Sequence, residues 1–342
     1  MDLFCGAGGL SFAFHKAGYR IVAAVELDAD AAATYQKSFV KAHSPQTILL
    51  ASDISKADTK SKLIEAVKDV GQLDVLIGGP PCQDFSPARI KAKRKQARMK
   101  LVDHYLAVLK ALKPRAFLFE NVPGLEKADD GKHWKKLSDA VAALGYSLSS
   151  KLLNAEDFGV PQRRRRLFVV GMRGARSSFV FPAGAGRAST VMEVIGHLPP
   201  LEAGETSPED PQHGARRHRA ETVKYLAKIP EGGAWRSCRD ERVLACHKNH
   251  RGHYDVYGRI RGDATAPTIT GGCTNPSKGR FIHPKQHRGL SVREAALLQT
   301  FPADWAFVGG IESRSLQVGN AVPVSLGEVL ARALGKVLRR RV

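Results

Sequence analysis

Cysteine is sparse in this chain: five residues in 342 (Cys5, Cys82, Cys238, Cys246 and Cys273), odd in number, widely spaced and without a C-x-x-C pair. That pattern excludes a disulfide framework and a redox or zinc knuckle, and leaves reduced thiols as the default. Long apolar runs are missing too. No stretch approaches the roughly 20 residues that span a bilayer, and the opening "MDLFCGAGG" lacks the basic-then-apolar layout of a signal peptide. A cytoplasmic protein with no membrane partner is therefore expected. Acidic residues are few beside basic ones, 33 against 53, a net charge of +20. Such an excess favours a polyanionic partner, nucleic acid first, through long-range attraction and counterion release. Internal repeats and low-complexity tracts are absent, and the length suffices for one large domain or two smaller ones with a full core.

Short β-rich runs alternate with helical patterns up to about Gly171, the signature of a parallel sheet flanked by helices. "MDLF", "IVAAV", "LDVLI", "AFLFE" and "RLFVVG" are the strand candidates, with a further strand before Asp53. Leu101, Tyr105, Leu109 and Leu112 fall at helical spacing, as do Trp134, Leu137, Val141 and Leu144, and both stripes read as core. Beyond Gly171 the texture turns to Pro, Gly and Arg with weak periodicity, until regular structure resumes near "LSVREAALLQTF". The division expected is 1–175, 176–287 and 288–342, the last ending in an apolar-striped helix that opens at Pro323 and docks back on the first domain.

"DLFCGAGGLSFAF" runs from a strand through a glycine turn into a helix, an arrangement that brings backbone N–H groups to a ligand. Gly6 and Gly8 fit the dinucleotide fingerprint, but Ser11 stands at its third glycine and Gly9 is extra. A plain tight turn is the competing reading. Glu26, at the end of the second strand, can accept from ribose hydroxyls; Asp53 can hold an adenine amino group with Ile54 beside the ring. Each acid singly also reads as a helix cap. Jointly they favour an adenosine ligand without pyrophosphate.

In "GGPPCQDFSP" two prolines aim Cys82 rigidly from the end of an apolar strand, where open α/β sheets place their chemistry. With "ARIKAKRK" following, the setting suits a thiolate nucleophile, against the blander reading of a buried structural thiol. Glu120 in "FLFENVPG" ends the next strand, where partial burial would raise its pKa and make it a proton donor near neutral pH; a salt-bridging glutamate is the alternative.

"DLFCGAGG", "PPCQDFS", "ENVPG", "VPQRRRRLFVVG" and "QVGNAVP", in that order, resemble the DNA (cytosine-5) methyltransferase family of restriction-modification type, over nearly the whole chain except residues 180 to 255. The resemblance implies an α/β fold: a Rossmann-like methyltransferase sheet with helices on both faces, and a smaller, irregular, β-rich target recognition domain over 176–287. It implies S-adenosylmethionine as cofactor, double-stranded DNA as partner, and a monomer near the bacterial nucleoid. Cys82 would add to carbon 6 of a cytosine while Glu120 engages N3, so that carbon 5 takes the methyl group. The base must be flipped from the duplex, at a cost of a few kcal/mol.

By the same resemblance Gln162, Arg164 and Arg166 would hold the flipped base and its phosphates, with Arg163 and Arg165 on the other face. Phe4 would stack on adenine, and Gly6, Gly8, Gly9, Pro80, Asn320 and Val322 would join Glu26, Asp53 and Ile54 around the cofactor. Ser86, Arg89, Asn121, Thr268, Gly271 and Gly272 would face DNA. Guanine contacts are open to Arg236, Arg239, Arg242, Arg251, Arg259 and Arg261. Cys238, Cys246, His247, His250 and His253 match no standard zinc spacing, so no metal is expected.

Two departures stand out. Met1 lies almost inside the first motif, so either a start upstream or a weak first strand is expected; and the segment after Ser86 lacks the family's Asp-Pro-Arg but carries seven basic residues from Arg89 to Lys100. That segment reads as a loop closing on phosphates, or as a solvated helix face. The alternatives to a DNA methyltransferase are the same chemistry on transfer RNA, a silent DNA-binding regulator, and a nicotinamide dehydrogenase that would leave Cys82 and Glu120 without a role. With a net charge of +20, affinity for duplex DNA is expected to fall steeply between low and physiological salt in an anisotropy titration; a flat profile would favour a small-molecule substrate.

Overall fold

The computed structural model describes residues 1–80, 92–126, 131–174, 179–184, 186–237 and 254–339, with the backbone alone for 92–100 and His133. The chain divides into two compact units. One comprises Met1–Asn154, Arg165–Ala185 and Val324–Val342; the other comprises Ala155–Arg164 and Gly186–Pro323. Among the described residues no helix is long and apolar enough to cross a membrane.

The first unit is built on a seven-stranded sheet ordered β3-β2-β1-β4-β5-β7-β6. Its strands are β1 (Asp2–Leu3), β2 (Ala23–Glu26), β3 (Ile48–Ala51), β4 (Val75–Gly78), β5 (Ala116–Asn121), β6 (Tyr146–Asn154) and β7 (Arg165–Arg173). Helices α1 (Gly9–Lys16), α2 (Ala29–Tyr35, prolonged through a π turn to His43), α3 (Ala57–Glu65) and α4 (Ala92–Leu112) link the first five strands; α5 (Lys132–Ala143) follows β5. β1 to β5 pair in parallel. Every residue of β4 and β5 is buried, as expected of parallel strands covered on both faces.

The sheet is not parallel throughout. β7 runs antiparallel to both β5 and β6, because only Ala155–Arg164 joins β6 to β7, too short for the helical crossover a parallel return needs. β6 was not among the strand candidates. Its serine-rich edge sequence, largely half-exposed, carries little of the apolar alternation that marks a strand.

The two helical stripes are core. Tyr105, Leu109, Leu137 and Val141 are buried, and Leu101, Leu112, Trp134 and Leu144 pack against them. Tyr105 meets Phe119 edge-on at 5.3 Å, and Phe117 meets Tyr146 at 5.4 Å. Phe117 opposes Gly171 across the β5–β7 ladder, where a Cβ would come within 1.9 Å of the ring. The last helix, Val324–Arg339, buries Leu326, Leu330, Leu334 and Leu338, and Gly327 lets it approach Ala13 of α1. Tyr19 donates to the Ala331 carbonyl at 3.2 Å and Arg115 to that of Leu338 at 2.8 Å.

In the second unit regular structure is thin. The β-rich character expected of 176–287 is limited to isolated bridges among the described residues, such as Thr206 with Gly214 and Arg259 with Ile282. Buried guanidinium groups take the carbonyls that a ladder would otherwise satisfy. Arg259 donates to the carbonyls of Ile229, His283, Gln286 and Leu226 at 2.6–2.7 Å. Arg288 grips Glu294 through two bonds of 2.8 and 2.7 Å, and Glu294 also closes the capping box of the helix Val292–Leu298 with Ser291.

His283 lies against that pair, its Nδ1 accepting from the backbone of Lys285 and Gln286 at 3.1 Å. Burial, reinforced by Arg288 and Arg259 and opposed by Glu294, pushes its pKa down to about 4. An unfolded histidine takes up its proton near the ordinary 6.5, so below that value the unfolded state binds more protons and stability falls toward pH 4. Urea melts at pH 7 and 4.5 should show the native chain losing about 2 kcal/mol more than His283→Gln. Parallel losses would remove the histidine from the cause.

Candidate active site

The carboxyl ends of the parallel strands carry the first group of side chains. β1 ends in Phe4, half-buried against the core at a left-handed φ of 62°. Gly6 and Gly8 follow with φ of 53° and 92°, Gly8 capping α1, whose first residue is Gly9. Left-handed backbone of this kind is cheap only for glycine. Glu26 holds the turn: its Oε2 accepts from Gly6 N at 2.9 Å, and its Oε1 from Leu27 N and Asp28 N at 2.8 and 2.9 Å. Burial raises the Glu26 pKa despite those bonds. A carboxylate has about four lone-pair sites, so about one remains for a ribose hydroxyl.

Asp53 follows β3 and accepts from Ser55 N at 2.8 Å, which lowers its pKa. Ile54 beside it is buried in the core cluster, and Pro80 is buried after β4. Ser11, the departure from the glycine fingerprint, has a partner of its own. It donates to Asp2 Oδ2 at 2.7 Å and accepts from the Tyr35 hydroxyl at 2.8 Å, in a buried chain where burial raises the Asp2 pKa to about 7. The sequence signalled this chain only as a missing glycine. A half-buried acid after β3 and a carboxylate with an open acceptor after β2 fit an adenosine-bearing cofactor.

Glu120 ends β5, 7% exposed, with Oε1 3.2 Å from Arg166 Nε. The ladder explains the pair: Glu120 opposes Phe168, so Arg166 is its diagonal neighbour on the same face. Asn121 is buried and its Oδ1 accepts from Val122 N at 2.9 Å, closing the strand into its turn. Gly79, two residues before Pro81 in the cysteine loop, is the neighbour that sequence reasoning missed. A Cβ there would stand 2.9 Å from Glu120 Oε2. Cys82, Ser86 and Arg89 lie outside the described residues.

The second unit gathers the other named residues. Gln162 and Arg164 are buried while Arg163 and, at the start of β7, Arg165 are exposed, the alternation of an extended strand. Gln162 donates to Gln299 Oε1 at 2.9 Å and accepts from Ile269 N at 2.8 Å; Arg164 donates to the carbonyls of Ile269 and Gly319 at 2.8 and 3.0 Å. Thr268 donates to the Arg163 carbonyl at 2.8 Å. These bonds tie the arginine segment to residues 266–270 and to the end of the helix Ile311–Asn320. Asn320 is exposed there and Val322 buried. Gly319 is indispensable to the join, since a Cβ would fall 2.1 Å from the Thr270 backbone. Gly271 and Gly272 are explained by packing too, with Leu316 and Lys278 each 2.7 Å from where a Cβ would stand. Arg239, Arg242, Arg251 and the Cys238–His253 cluster fall outside the described residues.

A cavity of about 400 Å³ opens at the amino ends of β1, β2 and β4, lined among others by Met1, Tyr19, Arg20, Asp74 and Arg115, at the opposite end of the strands from Glu26 and Glu120.

The strand order, antiparallel end and glycine turn together make this an S-adenosylmethionine-dependent methyltransferase fold. Residues 1–336 match the model of the C-5 cytosine-specific DNA methylase family, and the chain belongs to that family. It is a DNA (cytosine-5)-methyltransferase that uses S-adenosylmethionine. The Type II methylase M.HgiDII of Herpetosiphon aurantiacus is 32% identical over 99% of this chain and 95% of its own length. The Type II methyltransferase M1.HphI of Haemophilus parahaemolyticus is 34% identical over 98% of this chain and 86% of its own. A solved Escherichia coli prophage protein described as a DNA modification methyltransferase shares the fold, with a TM-score of 0.75 at 24% identity over 99% of this chain and 98% of its own.

Gly79→Ala should push aside the far end of the Glu120 side chain, a cheap movement for the fold and a costly one for the reaction. Single-turnover methyl transfer is expected to drop roughly 100-fold with unchanged thermal stability; an unchanged rate would show that this glycine does not set the carboxylate's position.

Proposed function

We propose that the chain methylates a cytosine within a specific short sequence of duplex DNA, acting as a cytoplasmic monomer through base flipping and a transient adduct with Cys82; the family match and the relatives named Type II methylase and Type II methyltransferase support it. The observation that carries the reading is Glu120, a buried carboxyl at a strand end with Arg166 on one oxygen and Gly79 beneath the other.

Cys82 adds through its sulfur to carbon 6 of the extruded base. Glu120 holds N3 and supplies the proton that offsets charge accumulating in the ring; Arg166, with donors left beyond its bond to Glu120, engages the ring's carbonyl oxygen. The cofactor supplies an electrophilic methyl group for carbon 5. Phe4, Gly6, Gly8, Gly9, Glu26, Asp53, Ile54 and Pro80 hold its adenosine end. A water molecule then takes the carbon 5 proton, the carbon 5–carbon 6 double bond re-forms as Cys82 leaves carbon 6 as its thiolate, and N3 returns its proton to Glu120. Gln162, Arg164 and Thr268 shape the backbone around the flipped nucleotide, and Ser86, Arg89, Gly271 and Gly272 face DNA, while Asn121, buried, holds the turn after β5. Residues 176–287 read the sequence and 1–175 perform the chemistry.

Cys82→Ala is expected to lose methyl transfer to duplex DNA while keeping calorimetric affinity for S-adenosylmethionine. Duplex DNA bearing 5-fluorocytosine should trap the native chain, and not the variant, in a denaturant-stable complex. Turnover by the variant would overturn the assignment, and methylation of transfer RNA in preference to duplex DNA would move the substrate class.

A further inference from the structure

Among the arginines open to guanine contact, three are described: Arg236, Arg259 and Arg261. Their surroundings separate them. Arg259 is 4% exposed and gives its guanidinium to four backbone carbonyls, so it has nothing left for a base. Arg261 is exposed but closed on Asp263 through Nε and Nη2 at 3.0 and 2.8 Å, which neutralises its charge locally.

Arg236 differs from both. Its Cζ lies 4.9 Å from the Trp235 ring centroid and 4.2 Å from that of Tyr254, over the face of each. Trp235 is 8% exposed and therefore fixed, whereas Tyr254 is 55% exposed. Among the described residues no carboxylate or carbonyl bonds to Arg236, which is itself exposed. Ring faces engage the flat faces of a guanidinium and leave its N–H edge, in the guanidinium plane, open. The charge stays intact and the fork is held in one orientation. A phosphate needs only charge and tolerates a flexible side chain, but the O6 and N7 acceptors of guanine require two parallel N–H bonds from a fork already aimed.

We propose that Arg236, oriented by Trp235 and Tyr254, reads a guanine of the target sequence in the major groove. This rests on the second unit being the part that reads DNA.

The test is methylation of a randomised duplex library, read by bisulfite sequencing, with the native chain, Arg236→Lys, Arg236→Ala, Tyr254→Ala and Arg261→Ala. The native chain should define a motif. Arg236→Lys and Arg236→Ala are expected to lose preference for guanine at one position of it by roughly 10- to 100-fold. Tyr254→Ala should relax that same position to a smaller degree, and Arg261→Ala should leave the motif as it was. Thermal melts and cofactor affinity check that each variant is folded. An equal loss at every sequence, with a salt slope reduced by about one, would make Arg236 a phosphate contact and overturn the proposal. So would an unchanged motif in folded Arg236→Ala. Failure of the native chain to methylate any duplex would instead defeat the reading of the substrate itself.

Discussion

The Glu26 carboxylate takes three backbone N–H groups, one from Gly6 in the turn after β1 and two from Leu27 and Asp28 beyond β2. It is the bond that ties two neighbouring strand ends into one edge. Phe4, Gly6 and Gly8 are all left-handed, a run that unfolded chain would abandon without an anchor. Burial opposes the charge, as the raised pKa shows, and the three donors are what keep an anion tolerable there. A carboxylate already fixed from one side presents its remaining lone pair in a set direction.

The same logic of fixing a carboxyl group in place recurs at Glu120. Its diagonal relation to Arg166 comes from the β5–β7 register, which exists only because β7 returns antiparallel and inserts beside β5. The chemistry of the strand end therefore depends on a topological detail remote from it. Gly79 completes the arrangement by contributing no atoms at all on the side where the carboxyl lies.

The net charge of +20 is not a single surface field. Arg164, Arg259, Arg288 and Arg293 are buried and serve carbonyls or acids inside the second unit. Burying a guanidinium costs several kcal/mol unless its donors are met, and here they take the place of a backbone ladder in a segment poor in strands. Arg236, by contrast, is held by two ring faces that leave its charge in place.

Local chemistry made much of this legible from sequence. Apolar runs ending at Glu26 and Glu120 place both acids at strand ends, because a buried parallel strand has only its carboxyl terminus free to carry chemistry. Five short motifs sufficed to indicate the family, since each is encoded within a few residues. Spacing along the chain says nothing of partners a hundred residues away. The antiparallel β7, the edge strand β6, the Asp2–Ser11–Tyr35 chain and the bonds from Gln162 and Arg164 to residues beyond 265 arose only when the chain folded. So did the division among the arginines: one residue type, in one basic stretch, becomes a structural brace or a free donor according to which carbonyls, acids or rings the tertiary fold brings within about 3–5 Å of it.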